Sequence, residues 1–235
     1  MMRINKLLRI GFLTSSIAGL TLLVLGLSYI IYPFSDPQPI PDNLNAQYDS
    51  LSKEFLVSSE YSADYIKLNG AFEPQIYRSF CGVASSVIVL KALGSNVDQK
   101  SFFSNQNASK IRPLYKVFFT GMPLSDLSEL IESYGASTHL YYASDLNIDE
   151  FRTILKRNMQ NPDNFILVNY LRSTLGQENV GHISPIGSYN PETDEVLIMD
   201  VTTYNYPHVW ASVESIYDAM DTMDDKLSRG FLEIF

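Results

Sequence analysis

Gln75-Ile-Tyr-Arg-Ser-Phe-Cys81-Gly-Val-Ala-Ser-Ser-Val-Ile-Val-Leu-Lys-Ala-Leu-Gly94 holds the sole cysteine of a 235-residue chain. From Gly82 to Leu93 it is almost continuously apolar, with Val83, Val87 and Leu90 at helical spacing and Gly94 at a helix stop. The spacing predicts a largely buried helix with Cys81 in its first turn. Backbone N–H groups without helical acceptors and the positive end of the helix dipole meet there. A thiol so placed is expected to have a lowered pKa and to carry the nucleophilic thiolate. The competing role is a small buried hydrophobe, the commoner fate of a lone cysteine.

Two neighbours favour chemistry. Gln75 stands six residues upstream, and Gly82 follows directly. In papain-like thiol hydrolases a glutamine shortly before the nucleophile donates its side-chain N–H to the oxyanion, and the cysteine N–H is the second donor. Such a thiol needs an imidazole.

Composition removes several classes. Apolar residues at 46% suffice for a real core, and the length fits one domain with an appendage. One cysteine excludes an intramolecular disulfide and a thiolate-rich metal cluster. A formal net charge of −9 argues against a nucleic-acid partner. The first 34 residues hold only Arg3, Lys6 and Arg9, so the remainder carries a net charge of −12.

Ile10 to Phe34 contains no charged side chain, and 25 residues can cross a hydrocarbon core. Residues 1–34 are expected to form a signal-anchor with one transmembrane helix, a cleaved signal peptide being the alternative. Basic residues before it, with Asp36 and Asp42 after it, orient the following domain away from the cytoplasm, to the periplasm in a bacterium. Pro33, Pro37, Pro39 and Pro41 make 35–44 a stiff linker, and a domain begins near Asn45.

Ser95–Arg112 reads as polar and irregular. Pro123 opens a helix with Leu124, Leu127, Leu130 and Ile131 on one face and Gly135 as its stop. A strand is expected over 136–142, and a helix capped by Asn147 buries Phe151, Ile154 and Leu155. Strands follow over Phe165–Leu171, His182–Tyr189, Glu195–Val201 and about Gly230–Phe235, with a short helix over Val213–Met220. Helices first and a sheet later predict an α+β domain, a helical N-terminal lobe and an antiparallel β C-terminal lobe.

Of three histidines, His139 sits inside an alternating strand and His208 has nothing beside it to complete a triad. His182 lies in a strand that turns at Asn190–Asp194 and returns to Asp200. An Asp there can accept from one ring nitrogen and leave the other for the thiol. Asp200 also interrupts an apolar strand, and a buried carboxylate needs a partner.

These residues resemble the phytochelatin synthases, or glutathione γ-glutamylcysteinyltransferases, from about Ala71 to Phe235. The resemblance is carried by Gln75…Cys81-Gly-Val-Ala-Ser, Gly121-Met-Pro-Leu-Ser-Asp-Leu, Asn169-Tyr-Leu-Arg172, Gly181-His-Ile-Ser-Pro, Leu197-Ile-Met-Asp-Val201 and Tyr204-Asn-Tyr-Pro-His-Val-Trp210. It implies a papain-like fold over 45–235, with Cys81 as nucleophile, His182 as general acid/base, Asp200 as its orienter and Gln75 as oxyanion donor. It further implies that Gly181, Asp224 and Arg229 bind the γ-glutamyl group, Asp224 and Arg229 taking its amine and carboxylate. The implied reaction cleaves the Cys–Gly bond of glutathione, holds γ-Glu-Cys as a thioester and passes it to a second glutathione or to water. A heavy-metal ion such as Cd2+ or Zn2+ arrives on the glutathione thiol, without a dedicated protein site. A homodimer is compatible with it.

Three alternatives stay open. The first is a γ-Glu-Cys dipeptidyl hydrolase that makes no oligomers. The second is a leader peptidase, although these carry an acid where Phe80 stands. The third is a membrane-tethered protein that binds glutathione or its metal complexes without turnover.

Overall fold

The computed structural model describes residues 17, 19–28, 31–33, 35–46, 56 and 61–235. A seven-stranded sheet forms its frame, every pairing antiparallel, in the order β1-β6-β5-β4-β3-β9-β2. In chain order the elements are β1 (Asn45–Ala46), α1 (Ala63–Ala71), α2 (Cys81–Ala92), α3 (Gln106–Ile111), α4 (Leu114–Thr120), α5 (Leu124–Glu132) and β2 (Thr138–Tyr142). Then come α6 (Ile148–Met159), β3 (Phe165–Leu171), β4 (Gly181–Asn190), β5 (Glu195–Ile198), β6 (Val209–Ser212) and α7 (Val213–Met220). The small hairpin β7 (Met223–Asp224) and β8 (Leu227–Ser228) precedes β9 (Gly230–Ile234).

The central strands are apolar on both faces because helices cover both. In β3, Phe165 and Leu167 join a core with Val83, Val87 and Leu127. The alternate residues Ile166, Val168 and Tyr170 join another with Phe151, Leu155 and Ile216. This period of two fixes which residues of each strand face α2, and so where the thiol helix sits. The fold is a mixed α/β domain on an antiparallel sheet, consistent with a papain-like domain. The two lobes expected from element order are instead two layers on one sheet, whose edge strands β1 and β2 precede the inner strands in the chain.

Local signals explain most elements. Every residue of α2 from Gly82 to Leu90 is buried, as its unbroken apolar run requires. Asn147 caps α6, accepting from the N–H of Glu150 at 3.0 Å, while Glu150 accepts from the N–H of Asn147 at 2.8 Å. Gly135, after α5, has φ +94°, the left-handed region where glycine ends helices without strain.

Two expectations need correction. The stretch Ser95–Arg112 is not all irregular: Asn105 caps α3 by accepting from the N–H of Asn107 at 2.9 Å. Of the residues of α3 only Ala108 is buried, so no apolar period marked it. The transmembrane helix expected within residues 1–34 lies partly outside the described residues. Its described part is helical over 19–28 with Leu20, Leu22 and Leu25 exposed, and among the described residues no helix is long and apolar enough to cross a membrane.

After that segment the chain lies along the domain. Ile31 C=O accepts from Arg78 N–H at 3.0 Å and Tyr32 packs on Tyr77 at 5.3 Å between centroids. Asp36 N–H donates to Tyr204 C=O at 3.2 Å and Gln38 N–H to Asn205 C=O at 2.9 Å.

Candidate active site

Cys81 is the first residue of α2 and is only partly buried, although the rest of that turn is sealed. Gly82 lets the helix settle on β4. A Cβ there would stand 3.2 Å from Met122 Sδ and 3.3 Å from Ile183 Cδ1, tighter than ordinary contact. Ser85 Oγ donates to Ile183 C=O at 3.0 Å and locks the same approach. The thiol is thereby held against the Ile183 N–H, one residue from His182.

His182 is buried on β4, opposite Tyr170 of β3. Its Nε2 pairs with Asp200 Oδ1 at 3.0 Å, which leaves Nδ1 as the nitrogen for the thiol side. Asp200 follows β5 and is fully buried, its carboxylate also accepting from Thr202 N–H at 2.8 Å and Thr202 Oγ1 at 2.6 Å. Arg172, at the end of β3, is equally buried and donates to both Asp200 oxygens at 2.8 and 2.6 Å. It also donates to Thr202 Oγ1 at 2.7 Å and Gln177 Oε1 at 2.6 Å, and its guanidinium lies 4.9 Å over the Tyr206 ring.

The electrostatics overturn the expected resting thiolate. Burial pushes the Cys81 thiol up from its ordinary value of 9.0, and this outweighs the N–H groups of Ile183 and Gly82 and the charge of Arg172. Burial likewise pushes His182 below 6.5, aided by Arg172 and opposed by Asp200. Both shifts favour the neutral forms, thiol and imidazole. For Asp200 burial acts upward, yet Arg172 and His182 hold the carboxyl well below the usual carboxylate range.

Gln75 is buried beside the thiol helix, tied down by its N–H to Val201 C=O at 2.9 Å. Its Nε2 donates to Arg78 C=O at 2.8 Å and to Tyr204 Oη at 2.9 Å. Both amide hydrogens are therefore engaged inside the protein.

Gly181, Asp224 and Arg229 also come together, next to His182. Arg229 is buried, its Nη1 donating to Met223 C=O at 2.6 Å and Thr222 Oγ1 at 3.1 Å, and its Nη2 facing Asp224 Oδ1 at 3.4 Å. Asn169 Nδ2 donates to Asp224 Oδ2 at 3.1 Å. A Cβ at Gly181 would lie 3.0 Å from Arg229 Nη2, so glycine leaves the guanidinium its place over the strand. With Arg229 buried, this pair is no exposed salt bridge. Arg229 Nε and Arg172 Nε are buried without hydrogen-bond acceptors.

His139 is exposed, 3.9 Å from Glu233, and His208 packs edge-on against Phe72, burial pushing its pKa down to about 4. The imidazole expected as the partner of Asp200 is joined by Arg172, which no local pattern marks beyond its place after a buried strand.

A family model for phytochelatin synthase matches residues 36–231. The chain belongs to the phytochelatin synthase family. Glutathione gamma-glutamylcysteinyltransferase 3 of Lotus japonicus is 32% identical over 177 residues, which are 72% of this chain and 37% of that protein. Glutathione gamma-glutamylcysteinyltransferase 1 of Triticum aestivum is 33% identical over 175 residues, 72% and 35% of the two chains. The glutathione gamma-glutamylcysteinyltransferase of Schizosaccharomyces pombe is 24% identical over 166 residues, 68% and 40%. The chain thus spans about 35–40% of the length of these relatives. The phytochelatin synthase match takes in every site residue from Gln75 to Arg229.

Proposed function

We propose that this chain is a γ-glutamylcysteinyl acyltransferase that cleaves the Cys–Gly bond of glutathione through a thioester on Cys81. One arrangement supports the proposal: along β4, Gly181 lies under Arg229, His182 pairs with Asp200, and the N–H of Ile183 meets the Cys81 thiol. A γ-glutamyl end bears an amine and a carboxylate side by side. Asp224 supplies the charge for the first, and Arg229, buried with Nε unpaired, the charge for the second.

His182 takes the Cys81 proton as the sulfur attacks the scissile carbonyl. The S–C bond forms and the carbonyl π pair becomes the oxyanion. Asp200 stabilises the imidazolium, and collapse breaks the C–N bond as His182 returns the proton to the departing glycine amine. Glycine leaves γ-Glu-Cys as a thioester. The amine of a second glutathione, or water, gives its proton to the neutral imidazole and attacks the thioester; the C–S bond breaks, and the departing Cys81 sulfur takes that proton back from His182. A heavy-metal ion enters as the thiolate complex of the substrate.

Full-length protein incubated with glutathione and Cd2+ is expected to release glycine, and Cys81→Ser to release none. Mass spectrometry of the products separates oligomers from free γ-Glu-Cys, which marks the hydrolase. Equal release by Cys81→Ser removes the proposal. Glutathione binding by calorimetry, without product over hours, makes the chain a binding protein.

The charge-free segment Ile10–Phe34 behind Arg3, Lys6 and Arg9 supports a membrane anchor, with the domain on the side away from the cytoplasm. Retention in membranes after alkaline carbonate washing tests it, and release into the wash removes it.

A further inference from the structure

We propose that Tyr204 is the side-chain oxyanion donor of this site, its phenol O–H bonding the tetrahedral oxygen while Gln75 holds the phenol oxygen in place. This rests on the acyl-transfer function proposed above. Gln75 has two amide hydrogens and two protein acceptors, Arg78 C=O at 2.8 Å and Tyr204 Oη at 2.9 Å. Its remaining polar atom, Oε1, is buried without a partner and accepts only. To bond an oxyanion itself, Gln75 has to surrender one of these contacts.

Tyr204 faces no such conflict. Its Oη accepts from Gln75, and among the described residues its own hydrogen goes to no acceptor. Gln75, which holds the phenol, stands six residues before Cys81 on the segment that leads into α2. Burial raises its pKa to about 12, with Asp200 and Cys81 adding to the rise. It therefore keeps its proton throughout turnover and serves as a donor, not a base.

The backbone aims it. Tyr204 sits on the loop that also carries Asp200, closed by Asn205 N–H to Thr202 C=O at 2.8 Å. Gln75 N–H to Val201 C=O at 2.9 Å joins this loop to the segment leading into Cys81. Cys81 opens α2, so its own N–H has no helical acceptor and is the second donor. During attack the carbonyl π pair moves onto oxygen, which gains two hydrogen bonds and no proton. The Gln75 N–H polarises the phenol and strengthens its O–H as a donor.

The test compares full-length wild type with Tyr204→Phe, Gln75→Ala and the double variant, on glutathione with Cd2+. Loss of one oxyanion donor costs about 10²-fold in kcat. Tyr204→Phe is expected to lose that much glycine release with little change in KM. Alkylation of Cys81 by iodoacetamide needs the thiol but no carbonyl oxyanion, so its rate is expected to stay at wild type, as is Tm. The double variant is expected to be no worse than the more damaged single variant, since the pair acts as one unit. If Tyr204 merely props Gln75, the Phe variant frees an amide hydrogen and releases glycine at the wild-type rate or faster, which overturns the inference. Parallel loss of alkylation and release overturns it too. A wild-type protein that releases no glycine overturns the acyl-transfer proposal and this inference together.

Discussion

Arg172 Nη2 donates to both carboxylate oxygens of Asp200, at 2.8 and 2.6 Å, while His182 Nε2 shares the Oδ1 atom at 3.0 Å. The triad is thus a tetrad in charge. With the guanidinium beside it, Asp200 stays ionised in full burial, and the net charge facing His182 is smaller than a lone carboxylate presents. Burial, aided by that guanidinium, keeps the imidazole neutral and ready to accept a proton.

Arg172→Met leaves Asp200 charged, buried and short of its strongest partner. Breaking a buried pair from one side costs about 3–5 kcal/mol. Urea denaturation is expected to show a loss of that order. A loss below about 1 kcal/mol contradicts the pairing, since that is what exposed pairs are worth.

His182 must be neutral to take the thiol proton, and its pKa is held below 6.5. The acidic limb of kcat/KM for glycine release is therefore expected to have its midpoint below 6.5, with activity rising as pH increases through it. Rates across the acidic range locate it. A midpoint above that value shows that Asp200 outweighs burial and Arg172.

Gly181→Ala puts a Cβ 3.0 Å from Arg229 Nη2, so the guanidinium must give by a few tenths of an ångström. If the cradle binds the γ-glutamyl end, KM for glutathione is expected to rise about tenfold or more, equal to at least ~1.4 kcal/mol of binding. Cys81 alkylation stays unchanged. An unaltered KM places substrate recognition elsewhere.

Asp64, in the first turn of α1, is wholly buried, and among the described residues neither of its carboxylate oxygens has a hydrogen-bond partner. Burial raises its pKa from 3.8 to about 8, with Lys67 lowering it and Asp163 raising it. Its folded value exceeds its unfolded one. Its stabilising contribution is therefore complete below about 3.8 and disappears as pH climbs to about 8. Asp64→Asn keeps the neutral shape at every pH and is expected to melt higher than wild type at pH about 8, the gap closing toward pH about 4. A gap that does not change with pH shows the carboxyl to be hydrated.

Much of the fold was legible because its signals are local. The apolar run after Cys81, Asn147 with Glu150, and strand Phe165–Leu171 each declare themselves within a few residues, whereas the strand expected over Glu195–Val201 stops at Ile198 and leaves Asp200 beyond it. The helices α1, α3 and α4 did not. In α1 Leu68 is the only buried apolar residue, and α4 exposes Leu114, Tyr115 and Phe119 while burying Val117, so neither shows a clean apolar face.

The site divides in the same way. Sequence alone determined which residues were chemically able to act: one sulfur, an imidazole on a strand, a lone acid on the strand returning from it, and a glutamine ahead of the nucleophile. Protonation was decided only in three dimensions. The dipole of α2 argued for a thiolate, but desolvation depends on what the rest of the chain stacks around the sulfur, and it prevailed. The same holds for Arg172, 28 positions from Asp200, and for Tyr204, 129 positions from Gln75. Charges and donors act through space, and the distances that set their strength exist only once the sheet has brought distant strands side by side.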